Sequence, residues 1–206
     1  MTAHSRELAT LLGLTALALV VSGLAPTDRA TWWLEVAPVL IAAPLLITTF
    51  ARFPLTPLLY RLIFLHALVL ILGGHYTYAE VPLGFWAQDA LDLSRNPYDR
   101  LGHFMQGFVP AILARELLLR LTPLERGGWL FYLVLAACLS FSAFYELIEW
   151  WAALAAGGAA DAFLGTQGDV WDTQWDMFIA LCGALIAQLT LAARHDRELA
   201  GFVGNR

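Results

Sequence analysis

The sequence predicts an all-α polytopic membrane protein, a bundle of about six transmembrane helices, and three observations carry that prediction. Hydrophobic residues make up 59% of the 206 residues, charged residues only 14%, and the mean hydropathy is +0.64. A soluble domain of this size carries more charge and less hydrocarbon. Apolar runs close to the ~20 helical residues needed to cross a hydrocarbon layer recur six times. No polar linker, low-complexity stretch or internal repeat divides the chain, so residues 1–206 read as a single integral membrane domain. The lack of a repeat weighs against an inverted-repeat transporter.

The first run covers residues 8–25. Arg6 before it and Ser22-Gly-Leu-Ala25 at its end imitate a signal peptide, but Pro26 is a poor cleavage context. The run also exceeds the usual h-region of about 7 to 15 residues, so it reads as an anchor. The second run, 32–50, opens on Trp32 and Trp33; the third, 58–74, carries Arg61, expected to snorkel, and a lone His66, expected to play a hydrogen-bonded packing role. Residues 75–98 contain Val81-Pro-Leu-Gly-Phe-Trp86 and Ala87-Gln-Asp-Ala-Leu-Asp-Leu93, the pattern of a short interfacial helix.

The fourth run, 99–121, starts with Asp99, Arg100 and His103, and the fifth, 128–151, ends with Glu146 and Glu149. Gly157, Gly158, Gly165 and Gly168 in the following loop suit a mobile or tightly turned lid. The sixth run, 172–193, starts with Asp172 and Asp176. Cys138 and Cys182 lie inside spans and read as small apolar residues, with no disulfide or zinc pattern. Trp32, Trp33, Trp86, Trp150, Trp151, Trp171 and Trp175 gather near one set of span ends as an aromatic belt.

Arginine sets the expected orientation, because the chain has no lysine. Arg6, Arg52, Arg61, Arg115, Arg120, Arg126, Arg194, Arg197 and Arg206 fall on the side of the N-terminus, and only Arg29, Arg95 and Arg100 fall opposite. By the positive-inside rule both termini are cytoplasmic. Most acids lie at the outer ends, which makes the outer face acidic and accounts for the net charge of −5.

On this topology three helices bring Asp99, His103, Glu146, Glu149, Asp172 and Asp176 to one membrane level. Asp99 with His103 and Asp172 with Asp176 are four apart, Glu146 with Glu149 and His103 with Gln106 three apart, so each pair shares a helix face. Carboxylates inside spans are costly and mark functional sites by default. So many facing one cavity need bound protons or a cation. Asp99, His103, Glu149, Asp172 and Asp176 are the candidate metal ligands, for a divalent ion that this inventory does not identify. Glu146, Glu149 and Arg100 are the candidate catalytic residues. The structural alternative makes Asp99 and Asp172 first-turn acids favoured by the helix dipole, with Glu146 clamped to Arg100.

His75-Tyr-Thr-Tyr78, Asn96-Pro-Tyr-Asp99-Arg-Leu-Gly-His103-Phe-Met-Gln-Gly107, Arg115-Glu116, Tyr145-Glu-Leu-Ile-Glu149-Trp and Gly165-Thr-Gln-Gly-Asp169-Val-Trp-Asp172-Thr-Gln-Trp-Asp176-Met resemble the YjdF family of bacterial inner-membrane proteins, over residues 55–195. The resemblance implies an inner-membrane protein and carries over no catalytic residue. More distantly, Asp99-Arg100, His103-Phe104, the glutamates of the next helix, and Asp172 and Asp176 before Gly183 are similar to the polar signatures of VanZ-like membrane proteins. There the first pair is usually Asp-Lys and Asn commonly stands at the place of Asp176, so the similarity implies shared descent, and glycopeptide resistance is not transferred.

Three functions fit these residues. One is a metal-assisted enzyme acting on a lipid or lipid-linked substrate at the outer leaflet. Another is a proton- or cation-coupled transporter, and the last is a structural or partner-binding membrane protein. A site near one face, rather than at the midplane favoured for transporters, points to the enzyme. The bilayer is the expected surrounding, no nucleic-acid partner is expected, and no phosphate loop, dinucleotide fingerprint or haem motif is present. A reporter fused after Arg206 is expected to read cytoplasmic and one inserted near Asp89 periplasmic; the opposite pattern would invert the topology.

Overall fold

Every apolar run forms a helix. The computed structural model describes residues 3–156 and 166–203, and these are helical with no strand. The elements are α1 (Ala3–Leu24), α2 (Arg29–Thr49), α3 (Pro57–Tyr76), a 3-10 turn (Tyr78–Glu80), α4 (Pro82–Leu91), α5 (Tyr98–Leu121), α6 (Gly128–Ala156) and α7 (Asp172–Val203). The expected interfacial helix is α4, which exposes Leu83, Phe85, Trp86 and Leu91. Gly157, Gly158 and Gly165 of the expected lid lie outside the described residues; Gly168 is in a turn with φ +84°.

Five of the long helices, α1, α2, α3, α6 and α7, are long and apolar enough to cross a membrane. The fourth run departs from that pattern. At 24 residues α5 has the length of a span, but it carries Asp99, Arg100, His103, Arg115, Glu116 and Arg120. Its position explains this: α3, α6 and α7 pack around α5, so its polar side chains face other helices and not lipid. The outer helices show the reverse pattern, with Leu17, Val20, Val21 and Leu24 of α1 and Ile41, Leu45 and Ile47 of α2 exposed as a lipid-facing surface.

The joint between α1 and α2 is built from hydrogen bonds. Asp28 caps α2 by accepting from the Thr31 amide at 2.7 Å, a bond that also holds its carboxyl below the usual carboxylate range. Trp32 is buried and donates from Nε1 to Ser22 Oγ at 3.0 Å, so it belongs to the core and not to the aromatic belt. Thr27 N donates to His75 O at 2.8 Å, tying this corner to the end of α3. At the opposite end Arg61 grips Glu7 of α1 at 2.6 Å instead of only snorkelling.

The central apolar layer contains Leu59, Val109, Ala111, Ile112, Val134 and Ala184, drawn from α3, α5, α6 and α7. His66, in α3, has its Nε2 buried without a hydrogen-bond partner. Within this layer α5 and α7 approach backbone to backbone. A Cβ on Gly107 would stand 1.7 Å from Ala180 O, and one on Gly183 would stand 2.2 Å from Phe104 O. Only glycine permits that approach.

Gly107→Ala and Gly183→Ala are each expected to destabilise the protein by at least the ~1–3 kcal/mol typical of overpacking. Gly13→Ala, on the open face of α1 with nothing within 4 Å of its Cβ, is expected to be neutral or slightly stabilising. Thermal unfolding in detergent checks both, and equal effects at the three positions would refute the contact as a lock.

Candidate functional site

The α5–α7 contact brings two polar clusters together, one at each end of α5. At its N-terminal end the first turn of α5 supplies Asp99 and Arg100, the next turn His103 and Gln106, α6 supplies Glu146, and the first turns of α7 supply Asp172 and Asp176. Asp99, His103, Glu146, Asp172 and Asp176 are all buried.

Asp99, His103 and Asp176 form a group in which each offers one ligand atom within 4.8 Å of the other two. His103 Nε2 is 3.5 Å from Asp99 Oδ1 and 3.8 Å from Asp176 Oδ2. These separations are long for hydrogen bonds, which peak near about 2.9 Å. They match the ~3–4 Å between atoms that each sit about 2.0–2.2 Å from a shared ion. His103 Nδ1 is 3.2 Å from Gln106 Oε1 and 3.8 Å from Glu146 Oε1. With the proton on Nδ1, the ring donates to Gln106 and turns its Nε2 lone pair toward the two carboxylates. That is the orientation a ligating imidazole takes when a second group holds its other nitrogen.

The guanidinium groups sit on the flank of this group. Arg100 reaches Asp169, Asp172 and Asp176, each at 3.1 Å. Arg95, just before α5, binds Asp172 at 2.6 Å and stands 3.6 Å from both Asp99 and Asp169. Asp172 therefore faces the arginines and not His103, which separates it from the rest of the expected ligand set. The expected clamp between Glu146 and Arg100 does not form; Glu146 faces His103 instead. Glu149 is half-buried one turn further along α6, with Glu146, His103, Asp99 and Glu35 as its charged neighbours and no ion pair within 4.0 Å among the described residues.

The balance of charge here is uneven. Glu35, Asp99, Glu146, Glu149, Asp169, Asp172 and Asp176 share this end with Arg95, Arg100 and His103. Asp99 Oδ2 and Glu146 Oε1 are buried without a hydrogen-bond donor. Sequence reasoning did not place Arg95, Asp169 or Glu35 in the site. Arg95 and Asp99 show an i, i+4 spacing, but they straddle the start of α5, and Glu35 is separated from the motifs by most of α2 and α3.

The cluster at the other end of α5 was missed altogether. Glu116 is fully buried and accepts from Thr56 N at 3.1 Å, Thr56 Oγ1 at 2.8 Å and Arg120 Nη1 at 2.6 Å, with His195 Nε2 at 3.1 Å. Arg115 holds Asp196 through two bonds at 2.8 and 3.1 Å. Glu198 accepts from Leu58 N at 2.7 Å. Thr56 makes no side-chain cap for its own helix, so glutamates from α5 and α7 satisfy the first amides of α3 in trans. The i, i+4 pair Glu116 and Arg120 was the signal available in the sequence. Every acid here has its donors, which marks the cluster as scaffold.

Glu116→Gln is accordingly expected to cost about 3–5 kcal/mol, the range for breaking a buried ion pair. Glu149→Gln removes charge from a repelling set and is expected to leave the metal-free melting temperature unchanged or higher. Melting curves of the two variants side by side decide it; a large loss with Glu149→Gln would place that residue in the scaffold.

Comparison with known proteins agrees with this picture of a membrane bundle. Residues 7–197 match the family described as "Predicted membrane protein (DUF2238)". The chain is 57% identical over 186 residues to the inner membrane protein YjdF of Escherichia coli (strain K12), covering 90% of this chain and 89% of that protein. No solved structure matches it significantly.

Proposed function

The chain belongs to the DUF2238 family of predicted membrane proteins, to which its YjdF relative also points, and from that premise we propose a metal-assisted enzyme of the bacterial inner membrane. Its substrate is a lipid or lipid-linked molecule reached at the outer face. The observation that carries this reading is the Asp99–His103–Asp176 group, buried, with separations suited to ligands and beside carboxylate oxygens that have no donor. A divalent ion held there would offset the excess of carboxylates and supply a Lewis acid.

The remaining residues take roles from their positions. Arg100 orients Asp176 and Asp172 and places positive charge at the rim, its guanidinium 5.8 Å from the exposed Trp175 ring. Gln106 holds His103 at Nδ1, with Glu146 beside it at 3.8 Å. Glu149, half-buried and outside any described ion pair, is the general base. Trp86, Trp150, Trp151, Trp171 and Trp175 are exposed at this end, at the level where headgroups would lie. The arginine asymmetry assigns this end to the outside, with both termini cytoplasmic. A layer of apolar side chains, Leu59, Val109, Ile112 and Val134 among them, lies between the two ends of α5, which supports chemistry at one face over transport.

Detergent-purified protein is expected to contain stoichiometric divalent metal by elemental analysis, and His103→Ala and Asp176→Asn are expected to lose it. Because a ligand at about 100 times its Kd contributes ~2.7 kcal/mol, chelation is expected to lower the melting temperature by several degrees, and Asp99→Asn combined with Asp176→Asn to blunt that drop. A protein without metal, indifferent to chelator and badly destabilised by each single substitution would sink this reading in favour of a structural ion-pair network.

A further inference from the structure

The end of α5 opposite the carboxylate group carries positive charge that the scaffold does not consume. Among the described residues, eight arginines stand at this end against five acids, Glu7, Glu116, Glu125, Asp196 and Glu198. Asp196 shows where part of the surplus arises. Its two oxygens accept from Arg115 at 2.8 and 3.1 Å, and Oδ1 also meets Arg126 Nε at 2.9 Å, so one carboxylate serves two guanidinium groups. The Arg126 side chain stays 55% exposed.

Arg126 stands on the rim of a cavity. The turn after α5 is fixed by Thr122, whose hydroxyl donates to Leu118 O at 2.7 Å and accepts from Leu124 N at 3.2 Å. Leu124, Glu125 and Arg126 of this turn, with Leu119 and Arg120 of α5 and Leu199 of α7, line a half-open space of about 420 Å³. Ligand sites span roughly 300–1,000 Å³. Arg120 is locked in place, donating to Pro54 O at 2.7 Å and to Glu116 at 2.6 Å, with its guanidinium carbon 3.6 Å from the centre of the Phe53 ring. Leu199 is buried and Arg126 exposed, so the cavity is apolar in depth and cationic at its rim. Trp129 and Tyr132, exposed at the start of α6 just after the turn, mark this level as that of the headgroups.

We propose that this cavity binds the headgroup of an anionic phospholipid, with Arg126 and Arg120 toward the phosphate and the leucines against the glycerol and first acyl carbons. A guanidinium matches phosphate in geometry as well as charge, and basic pockets between helix ends are where such headgroups are held. Glu125, which also lines the cavity, opposes an anion and limits the affinity. The site lies at the far end of α5 from Asp99, His103 and Asp176 and does not depend on what that group does.

The test is phosphatidylglycerol affinity of the full-length protein in mixed micelles of a neutral detergent, measured by titration calorimetry beside phosphatidylethanolamine. Phosphatidylglycerol is expected to bind the more tightly. Arg126→Gln is expected to weaken it about fivefold, the effect of one arginine near a charged headgroup, and Glu125→Gln to strengthen it. Arg52→Gln, exposed at the same end but outside the cavity, is expected to bind as the parent does. Equal affinity for the two lipids overturns the proposal, as does an equal loss in Arg52→Gln and Arg126→Gln, which reports only diffuse charge. Displacement of the lipid by inorganic phosphate alone makes a soluble anion the occupant and overturns it too. Arg115 still holds Asp196 in Arg126→Gln, so that variant is expected to keep the parent's melting temperature. Should it fail to fold, unchanged affinity in Glu125→Gln overturns the proposal.

Discussion

The contact of α5 with α7 through Gly107 and Gly183 is the constraint on which the rest depends. Two helices that meet backbone to backbone have little freedom to slide or rotate, since a shift of a few tenths of an ångström would already bring atoms into overlap. That lock sets Asp176 against Asp99 and His103 at one end and His195 and Asp196 against Glu116 and Arg115 at the other. Both polar clusters are thus consequences of one packing register. In a bilayer, where lipid competes for apolar surface as well as any side chain does, such close packing replaces the hydrophobic drive that orders helices in water.

The two clusters use the same residue types to opposite effect. Around Glu116 each oxygen has donors, from a helix start, an arginine and a histidine, and the charges balance locally. Around His103 the carboxylates outnumber the guanidinium groups, and two buried oxygens meet no donor. A satisfied network rigidifies, while an unsatisfied one in a low-dielectric setting is held only at a cost. The contrast inside one molecule, along a single helix, is what separates scaffold from candidate site here more firmly than burial alone would.

The side of the site formed by α2 and α3 adds a second kind of evidence. Thr77 in a strained conformation, together with Gly73, Gly74 and Gly102, shapes the backbone around Tyr78 and Glu35. Strain of this sort persists only where the surrounding fold imposes it. Arg95 and Arg100 act on the opposite flank, gathering Asp169 and Asp172, while Asp99 and Asp176 each turn one oxygen to an arginine and the other to the imidazole. The site is therefore asymmetric, with a cationic rim on the α7 side.

The sequence by itself determined the class, the helices and the level of the site. Hydrophobic length is a local property, so the span ends fall within about five residues of the observed helix ends except at the far end of α7, and helical spacing put Asp99 with His103 and Asp172 with Asp176 on shared faces. It also misjudged particular residues for one reason: periodicity says which face a residue is on, not what that face meets. Trp32 was placed in the aromatic belt and lies in the core; Asp172 was grouped with His103 and turns to the arginines; the fourth run was read as polar at its outer end and α5 is polar at both, enclosed by its neighbours. Of the Glu116–His195 network only the pair Glu116 and Arg120 had a local signature, because Thr56 and His195 are tens of residues away in the chain. Which carboxylates are neutralised and which are left facing one another depends on interhelical register, and that was decided only when Gly107 and Gly183 brought α5 and α7 together.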